Sequence, residues 1–489
     1  MYVIFIESIV SLLANYEGES MLDSYKLQPE TASEADVYDA IILGAGITGL
    51  VAASVLLRQN STRIAIIDEY QHIGGNHIDW SANGFTFDIG SLIFQDDSPL
   101  LKHFPELLEH YVHIHPTWGR LNPQRQITRY PISIVDDILG AGPVGICRIV
   151  LSIIHARIWR RRLRNAKDFA RFWIGGYLLK RSGLENYMAR FYGVPPEHID
   201  LELAEKRMMW IKEHSSLRGL LRKMRQRKLP HLKNKQLARP KEGYAVLYEP
   251  AKKGLIENGV TFRLGAPISK VAKDDEQFIV TPAQGKTIAA ARVISTMPIN
   301  IMLRLCGLEQ EKSLETITLI SLYFSFSGDR GFTQSILYNF SYEAAWKRLT
   351  IYSDFYGRNE GREYFAVEVV SNDTITSIEL AEAEFRAHVA SNAIFNGDLK
   401  LEGGQVLKNA YPIYTHGAPA EAARQIDRLR QFGIESFGRH GAFNYQPTAR
   451  VSTLEAERAL GYRHPEPADN PDRRERHDKR LELIPCKSG

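Results

Sequence analysis

The sequence has few cysteines and no long uninterrupted hydrophobic run, and each absence excludes a class of protein. Its three cysteines, Cys147, Cys306 and Cys486, show no paired spacing, which argues against a disulfide framework and against a cysteine metal site. No run reaches the roughly 18 consecutive apolar residues of a membrane span. We therefore expect a cytoplasmic protein that is not integral to a membrane.

Local catalytic and metal-binding motifs are also lacking. No Ser/His/Asp or Cys/His arrangement can be assembled from neighbouring residues, and the histidines between His110 and His115 lack the carboxylates of a known metal motif. The sequence predicts no metal site and leaves the catalytic residues unknown. Any reaction would then depend on a bound cofactor.

What the sequence contains is an ordinary globular composition with unevenly distributed charge. The 489 residues are 44% hydrophobic and 24% charged, enough for two or three structural units. The net charge is only +4, yet residues 148–239 hold 23 lysines and arginines against 7 acidic residues. Such a region favours phosphates or lipid headgroups as partners. Because no nucleic-acid motif accompanies it, we expect no nucleic acid.

A strand, a glycine turn and a helix follow one another in the first part of the globular sequence. The apolar run 38–43 leads into Gly44-Ala45-Gly46-Ile47-Thr48-Gly49, and a helical pattern then opens at Leu50. In such a unit the first glycine turns the chain, the second lets the backbone approach a pyrophosphate, and the third packs the helix on the strand. This order predicts a dinucleotide-binding site of Rossmann type.

An acidic residue and a second glycine pair complete the cofactor signal. Asp68 ends the next strand, where its carboxylate can accept hydrogen bonds from a ribose diol. Gly74 and Gly75 allow another close backbone approach, and Asn76 follows them. Through the string His72-Ile73-Gly74-Gly75-Asn76 the sequence resembles the flavoprotein superfamily that contains UDP-galactopyranose mutase, protoporphyrinogen oxidase and amine oxidases. The resemblance implies FAD as the cofactor.

The resemblance continues in chain order over most of residues 37–455. Gly90 lies in a segment similar to the family's loop at the flavin, and Gly438-Arg439 is similar to its last FAD-binding turn. Together the glycine motif and the resemblance imply the following cofactor-binding residues: Gly44, Ala45, Gly46, Thr48, Gly49, Asp68, Gly74, Gly75, Asn76, Gly90, Gly438 and Arg439.

The resemblance also implies substrate-binding residues. Arg207 and Arg348 match arginines that clamp a substrate diphosphate, a role that suits the guanidinium fork. The alternative for both is ion pairing on a surface or between domains. Tyr411 matches a tyrosine that contacts substrate phosphate, although a tyrosine before proline is as often a packed residue at a strand end.

Two departures separate this sequence from the mutases it resembles. Leu92 stands where those proteins carry a histidine at the flavin, and Phe443 stands where a substrate-binding tyrosine is expected. Tyr445 could offer a hydroxyl near Phe443, or it could pack on a sheet. Phe443 and Tyr445 are therefore kept as substrate-site candidates, while the assignment to a mutase is weakened.

The predicted fold class is α/β, with a discontinuous Rossmann-like FAD-binding domain, a helical insertion and an antiparallel-sheet substrate domain. In the last of these, residues 319–326 alternate polar and apolar side chains, which predicts a half-exposed strand. The predicted segments are a poorly ordered extension at 1–36 with Met21 as an alternative start, FAD-binding pieces at 37–128, 240–300 and 410–460, a basic helical lid domain at 129–239, a substrate domain at 301–409, and a disordered tail at 461–489.

Two stretches of the basic region, 146–164 and 217–228, have the pattern of basic amphipathic helices. Such helices can lie on an anionic membrane surface, here the inner membrane face, or close over a phosphorylated substrate. The competing interpretation is a solvated charged face on ordinary domain helices, or a surface for a protein partner. The oligomeric state is left open.

Three functions fit these features. The leading hypothesis is an FAD-dependent oxidoreductase that transfers a hydride from an anionic substrate to flavin N5, the substrate being a nucleotide sugar, a glycan precursor or a lipid-linked intermediate. The second is a nucleotide-sugar mutase that uses reduced FAD. The third is a flavin-binding partner protein without catalysis, which the replacements at Leu92 and Phe443 would allow.

Overall fold

The computed structural model describes residues 36–89, 93–159, 162–207, 211, 235–309 and 314–464. The predicted extension up to residue 35, the predicted tail from residue 465 and the basic stretch 217–228 lie outside these described residues. The same holds for Gly90, for Leu92 and for the side chain of Arg207.

The first part of the chain forms the βαβ unit that the glycine motif predicts. Its elements are β1 (Asp36–Leu43), α1 (Ile47–Arg58), β2 (Ile64–Asp68), β3 (Asp79–Ala82), β4 (Phe85–Asp88), β5 (Phe94–Gln95), α2 (Leu100–His103), a 3-10 helix (Pro105–His110), β6 (Val112–Ile114), β7 (Trp118–Leu121) and β8 (Ile127–Arg129). β1 and β2 pair in parallel, with Ala40 opposite Ile64. Both strands are buried along their paired residues, which is why their sequences are continuously apolar.

The next part is helical, as the sequence predicts for the insertion. It comprises a π-helical turn (Ile134–Ile138), a 3-10 turn (Leu139–Ala141), α3 (Gly142–Trp159), α4 (Ala166–Ile174), α5 (Gly176–Arg181), α6 (Leu184–Tyr192) and α7 (Leu201–Arg207). α3 packs on α4 and α5, where the Ser152 hydroxyl accepts the Tyr177 N–H at 3.0 Å. The Arg157 side chain donates to the Phe172 carbonyl at 3.0 Å. These contacts fix one side of α3 to the domain.

The opposite side of α3 is apolar and exposed. Within the helical segment Val135–Trp159, the most apolar 18-residue stretch has a mean hydropathy of 1.8 and is only 11% buried. By length and composition alone this one helix could cross a membrane, a test that core helices of other proteins and signal sequences also pass. Counting uninterrupted apolar residues missed it because Arg148 breaks the run without lowering the average much.

Residues 235–305 add strands to the sheet that β1 and β2 begin. They form β9 (Gln236–Ala238), α8 (Tyr244–Glu257), β10 (Val260–Leu264), β11 (Ile268–Asp274), β12 (Gln277–Pro282), β13 (Ile288–Ser295) and α9 (Ile299–Leu305). β10 pairs with β2 in parallel, and β11, β12 and β13 form an antiparallel meander. β9 instead joins β5 and β6 in a small separate sheet.

A large second sheet follows. Its part of the chain contains β14 (Thr316–Arg330), β15 (Ile336–Asn339), β16 (Trp346–Ile351), α10 (Ser353–Tyr356), β17 (Glu363–Val370), α11 (Ile378–Ser391) and β18 (Phe395–Pro412). The strand order is β18-β14-β17-β16-β15-β7-β8. Pairing is antiparallel except between β15 and β7.

The prediction that residues 319–326 form a half-exposed strand is wrong, because both faces of β14 are buried. On one face the Phe324 ring packs 5.3 Å from the ring of Phe385 on α11. On the other face the Tyr323 ring stacks on Phe87, with centroids 4.9 Å apart. The polar side chains of the alternation are buried and bonded; the Ser325 hydroxyl, for example, donates to Glu402 at 2.6 Å.

The last part of the described chain returns to the first sheet. It forms α12 (Ala418–Phe432), β19 (Glu435–Ser436), α13 (Gly438–Gly441) and α14 (Ala449–Ala459). The first sheet has the order β10-β2-β1-β13-β12-β11, with β19 paired to β13. This sheet therefore combines three separate segments of the chain.

A buried ion pair joins β4 to the residue that follows β9. The side chains of Asp88 and Arg239 are both fully buried, and the Arg239 guanidinium donates to the Asp88 carboxylate. Arg239 also donates to the carbonyls of Pro240 at 2.7 Å and Thr86 at 3.0 Å. The pair thus fixes the junction at which the chain leaves the helical part.

Replacing Arg239 tests how strongly this pair stabilises the fold. We expect Arg239→Met to lower the free energy of unfolding by about 3–5 kcal/mol, because it leaves the Asp88 carboxylate buried without a cation. Arg125→Met removes an exposed pair with Glu343 and should cost at most about 1 kcal/mol. Denaturant titrations measure the free energy of unfolding of both variants. An equal loss in the two would contradict the stabilising role of the Asp88–Arg239 pair.

Candidate functional site

Two glycines of the turn after β1 are required by the protein's own packing. Gly44 has a φ of +112°, and a Cβ at this position would collide with the Thr296 side chain. A Cβ on Gly49 would collide with the Gly44 carbonyl. These two glycines therefore allow the tight turn and the close approach of α1 to β1.

Gly46 is different, because nothing among the described residues requires a glycine there. Its φ of −72° is open to any residue, and a Cβ would meet only the Gly75 backbone, with Cα at 3.6 Å and N at 3.8 Å. Gly46 is also the N-cap of α1, which has no side-chain cap and no acidic residue in its first turn. The missing side chain and the free helix N-terminus together favour the close approach of an anionic ligand.

The second glycine pair lies directly on this turn. The Gly74 N–H donates to the Ala45 carbonyl at 2.8 Å, and both Gly74 and Gly75 have positive φ angles of +103° and +64°. A Cβ on Gly75 would lie 3.1 Å from the Gly46 Cα. The backbones of the two glycine motifs therefore pack directly on each other and form one wall of the site.

Asp68 holds the same wall from the end of β2. Its carboxylate accepts the Ala45 N–H at 2.7 Å and the Tyr70 N–H at 2.9 Å. A carboxylate has more acceptor sites than these two bonds use. Asp68 can therefore order the turn and still offer lone pairs to a ribose.

A cleft, here called the glycine cleft, extends from this wall. Its lining includes most of the predicted cofactor residues, namely Gly44, Gly46, Thr48, Asp68, Gly74, Gly75, Asn76 and Arg439. Ala45 is buried, and Gly438, at a φ of +94°, packs closely on Thr48. The structure thus brings these predicted residues together from three distant segments.

His440 also lines the glycine cleft, and sequence reasoning missed it. Its Nε2 atom is buried without a hydrogen-bond partner among the described residues. Burial and the nearby charge of Arg439 lower the pKa of His440 to about 4. A neutral, unpartnered ring nitrogen in the lining fits a ligand in the cleft. Its position beside the predicted Gly438-Arg439 turn was the available signal.

His77 is a second imidazole that the sequence analysis did not single out. It follows the Gly-Gly-Asn string directly, stacks on Tyr244, and its Nδ1 atom lies 2.5 Å from the Tyr248 hydroxyl. Burial and the charge of Arg439 lower the pKa of His77 to about 3. The site therefore has a neutral imidazole directly after the Gly-Gly-Asn string.

Another cavity, here called the aromatic cavity, adjoins the glycine cleft. The two share Asn76, His77, Leu407 and Arg439 as lining residues. The remaining wall is rich in rings, and Tyr130 stacks on Tyr338 with centroids 4.1 Å apart. The rings that line the aromatic cavity are Tyr130, Tyr187, Phe191, Tyr338, Tyr411 and Tyr445.

A row of polar side chains crosses the second sheet at this cavity. Tyr338 on β15 is opposite Arg348 on β16, which is opposite Glu368 on β17. Arg348 Nε donates to Glu368 at 2.6 Å, and Lys347 Nζ lies 2.9 Å from the same carboxylate. The pairing of β16 with β17 is irregular between Trp346 and Arg348, so two consecutive cations reach one acid.

The charges of this row are linked. Although burial alone favours the neutral acid, the cations of Arg348 and Lys347 hold the pKa of Glu368 below its ordinary value. Lys347 also lies over the Tyr411 ring, 4.9 Å from its centroid. Sequence reasoning missed Lys347 because strand alternation places it on the face opposite Arg348 unless the pairing is irregular.

Of the predicted substrate residues, Arg348, Tyr411 and Tyr445 line the aromatic cavity. Phe443 lies outside both cavities: it is 7% exposed, and its ring packs 5.5 Å from that of Tyr414. Its φ of +49° places it in a turn, so its side chain contributes to the core. Gly90 and the side chain of Arg207 fall outside the described residues.

Comparisons with known proteins agree with this geometry. A family model described as an NAD(P)-binding Rossmann-like domain matches residues 42–107. Prolycopene isomerase 2 of an Oncidium hybrid cultivar is 43% identical over 60 residues, 12% of this chain and 10% of that protein. The Arabidopsis thaliana prolycopene isomerase is 40% identical over 57 residues. The matched region thus spans about a tenth of the length of these curated relatives.

Solved structures match over far more of the chain. Reduced UDP-galactopyranose mutase has a TM-score of 0.70 at 17% identity, covering 86% of this chain and 94% of that one. A putative protoporphyrinogen oxidase from Exiguobacterium sp. 255-15 has a TM-score of 0.68 at 15% identity, covering 87% and 98%. Cyclohexylamine oxidase from Brevibacterium oxydans IH-35A has a TM-score of 0.57 at 12% identity, covering 87% and 98%.

These similarities confirm the predicted resemblance and the predicted fold class. The chain has the fold shared by UDP-galactopyranose mutase, a putative protoporphyrinogen oxidase and cyclohexylamine oxidase. FAD is therefore the cofactor that the fold and the glycine cleft both support. At these low identities the match establishes the fold and leaves the reaction and the substrate to be proposed.

The role of Gly46 can be tested by substitution. Gly46→Val should weaken FAD binding by about 100-fold or more, close to 3 kcal/mol, because its side chain would enter the cleft rather than the core. Fluorescence quenching during titration of the apoprotein with FAD measures the affinity, and circular dichroism checks the fold. Gly254→Val, on α8 where a Cβ would make only an ordinary contact of 4.0 Å with the Glu106 carboxylate, is the control. Normal flavin occupancy in Gly46→Val would exclude the proposed position of the diphosphate.

Proposed function

We propose that this chain is an FAD-dependent oxidoreductase that acts on an anionic substrate bound in the aromatic cavity. The observation that carries the proposal is the shared wall of Asn76, His77, Leu407 and Arg439, which joins that cavity to the glycine cleft. When bound, FAD supplies the redox chemistry, accepting a hydride at flavin N5. The protein itself has to bind, orient and desolvate the reactants.

The cofactor would be held mainly by backbone. The turn from Gly44 to Gly49 would face the diphosphate, and Asp68 would accept from the ribose. Arg439 and His440 line another part of the cleft. His440 would use its buried Nε2 atom, which lacks a partner among the described residues.

The charges of the aromatic cavity favour an anionic substrate. Three cations, Lys347, Arg348 and Arg439, line it against one carboxylate, Glu368, and the lowered pKa keeps His77 neutral. Because Glu368 balances only part of the positive charge, an anion would lower the cost of burying the rest. The rings would pack on a sugar, a base or an isoprenoid chain. These requirements support a nucleotide sugar, a glycan precursor or a lipid-linked intermediate.

A redox-neutral reaction is the second candidate. The solved mutase that this chain resembles is named for an isomerisation, and so are the prolycopene isomerases. A cavity with the same charges and rings would serve a mutase that works with reduced FAD. A flavin-binding partner protein without catalysis is the third candidate, favoured only if no substrate responds.

A flavin spectrum recorded during a substrate screen separates these candidates. Anaerobic bleaching of the oxidised flavin by one anionic substrate is the expected result for the oxidoreductase. Interconversion of UDP-galactose ring forms only after reduction would instead support the mutase. No response across nucleotide sugars, lipid-linked sugars and amines would favour the partner protein, and purified protein that takes up no FAD would overturn all three.

Arg348 is the sharpest test of the substrate cavity. We expect Arg348→Met to raise KM for the substrate by about 10-fold or more, because one charge-assisted contact is lost, while FAD occupancy stays unchanged. Arg362→Met is a matched control: Arg362 is 24% exposed against 23% for Arg348 and pairs with Asp398 instead. Unchanged KM in Arg348→Met, or an equal rise in the control, would remove Arg348 from the site.

We further propose that α3 docks the protein peripherally on an anionic membrane. Its buried stripe is Gly145, Ile149 and Ala156. Its outer face exposes large apolar side chains, including Val144 at 67% and Trp159 at 69%. The exposed apolar residues of the segment are Val135, Leu139, Val144, Val150, Leu151, Ile154, Ile158 and Trp159.

Cations accompany this face in the sequence. Arg148 on α3, and Arg162 and Arg164 beyond its C-terminal end, are exposed, and such cations beside an apolar face are typical of an interfacial helix on anionic lipid. Because α3 is fixed to α4 and α5 by its other side, attachment to the surface of a membrane is favoured over crossing it. The same helical part contributes Tyr187 and Phe191 to the aromatic cavity, so the surface and the substrate site belong to one unit.

Vesicle sedimentation tests this attachment. Wild-type protein should bind vesicles that contain phosphatidylglycerol more strongly than vesicles of phosphatidylcholine alone, and high salt should release it. The double variant Leu151→Asp with Ile158→Asp should lose binding at unchanged unfolding temperature, whereas Val246→Asp, an exposed apolar position on α8, should retain it. If the double variant binds vesicles as strongly as the wild type, this face is not the membrane contact. If the wild type is instead a dimer that only the double variant dissociates, α3 contacts a second copy of the chain.

A further inference from the structure

Three metal-ligating side chains meet outside the two cavities. The Glu457 carboxylate lies 3.0 Å from His103 Nε2 and 2.7 Å from His464 Nε2. The three ligand atoms all lie within 4.8 Å of one another. They come from α2, from α14 and from the residues just beyond α14, so they form a cluster only in the folded chain.

The cluster is largely buried, and a further contact supports one of its histidines. The side chain of His103 is fully buried, and those of Glu457 and His464 are 10% and 18% exposed. The second ring nitrogen of His103, Nδ1, lies 3.0 Å from the Ser54 hydroxyl on α1. A partner on the far nitrogen fixes the ring and its tautomer, which is the usual support of a metal-bound histidine. The partial exposure at His464 gives an ion access from solvent.

We propose that His103, Glu457 and His464 bind a divalent transition-metal ion, with Zn²⁺ as the best-fitting ion. Two imidazoles and one carboxylate are a common zinc set, and a water would complete a tetrahedron. Ligands at about 2.0–2.1 Å from such an ion stand a little over 3 Å apart. The Nε2–carboxylate separations of 2.7 and 3.0 Å therefore need only a small opening to admit it.

The ion would connect helices that form the cofactor site. α14 packs on α1 and α2, and Ser452 on α14 lines the glycine cleft. An ion held between α2 and the end of α14 would therefore stabilise the domain behind the cleft. The sequence predicts no metal here because residues 103 and 457 are too far apart to form a motif. The alternative is a hydrogen-bonded His-Glu-His network that holds no ion.

Metal binding is testable with the full-length protein at fixed flavin content. After chelation and dialysis, titration with Zn²⁺ in a calorimeter should give one site per chain, and an excess of Zn²⁺ should raise the unfolding temperature by roughly 2–5 °C. Absorption of the Co²⁺ form should have the intensity of a four-coordinate site. Because the readouts are heat, melting and metal absorption, their failure is independent of any failure of the proposed enzyme activity.

His464→Asn is the decisive variant, because its partly exposed position makes misfolding a small risk. It should weaken Zn²⁺ binding by about 10-fold or more, and His103→Asn should abolish it. His416→Asn, which removes a histidine bonded to the Glu197 carbonyl, should bind Zn²⁺ as the wild type does. Absence of a stoichiometric site in the wild type, or unchanged affinity in His464→Asn, would overturn the proposal and leave the hydrogen-bonded network.

Discussion

The cofactor site depends on one contact of backbone against backbone, that between the turn after β1 and the second glycine pair. The Gly74 N–H donates to the Ala45 carbonyl, and the Ala45 N–H donates to Asp68. A Cβ on Gly75 would press against the Gly46 backbone, and a Cβ on Gly74 would collide with the Tyr248 ring. Because the wall is made of peptide groups, it presents N–H donors and a helix N-terminus to a ligand without burying a cation there.

The second sheet differs from that wall, because it buries charged side chains next to it. Lys347 and Arg348 share the single carboxylate of Glu368, and neighbouring rings cover them. Any one of these ions would be costly to bury alone. Together, two cations and one carboxylate leave a net charge of about +1 at the cavity, which costs less to bury. The pairing of β15, β16 and β17 fixes their positions, so strand register sets the lining of the proposed substrate cavity.

Local sequence predicts the parts of this protein whose chemistry lies within one segment. Gly44, Gly46, Gly49 and Asp68 could be assigned because a βαβ unit places them by spacing alone. The half-exposed strand at 319–326 was predicted wrongly, since alternation cannot reveal that α11 covers one face and the Phe87 cluster covers the other. To predict that Lys347 reaches Glu368, one would need to know that the pairing of β16 with β17 is irregular. To predict that His103 lies next to Glu457, one would need to know how α14 packs on α2.

Arg439 shows why such tertiary information decides the chemistry. It lines both cavities, lies 5.5 Å from the Tyr411 ring centroid, and helps to lower the pKa of both His77 and His440. Burial and this one cation together keep both imidazoles neutral, and the same cation adds positive charge to the lining of both cavities. A neutral imidazole can donate one hydrogen bond and accept another, whereas an imidazolium could only donate.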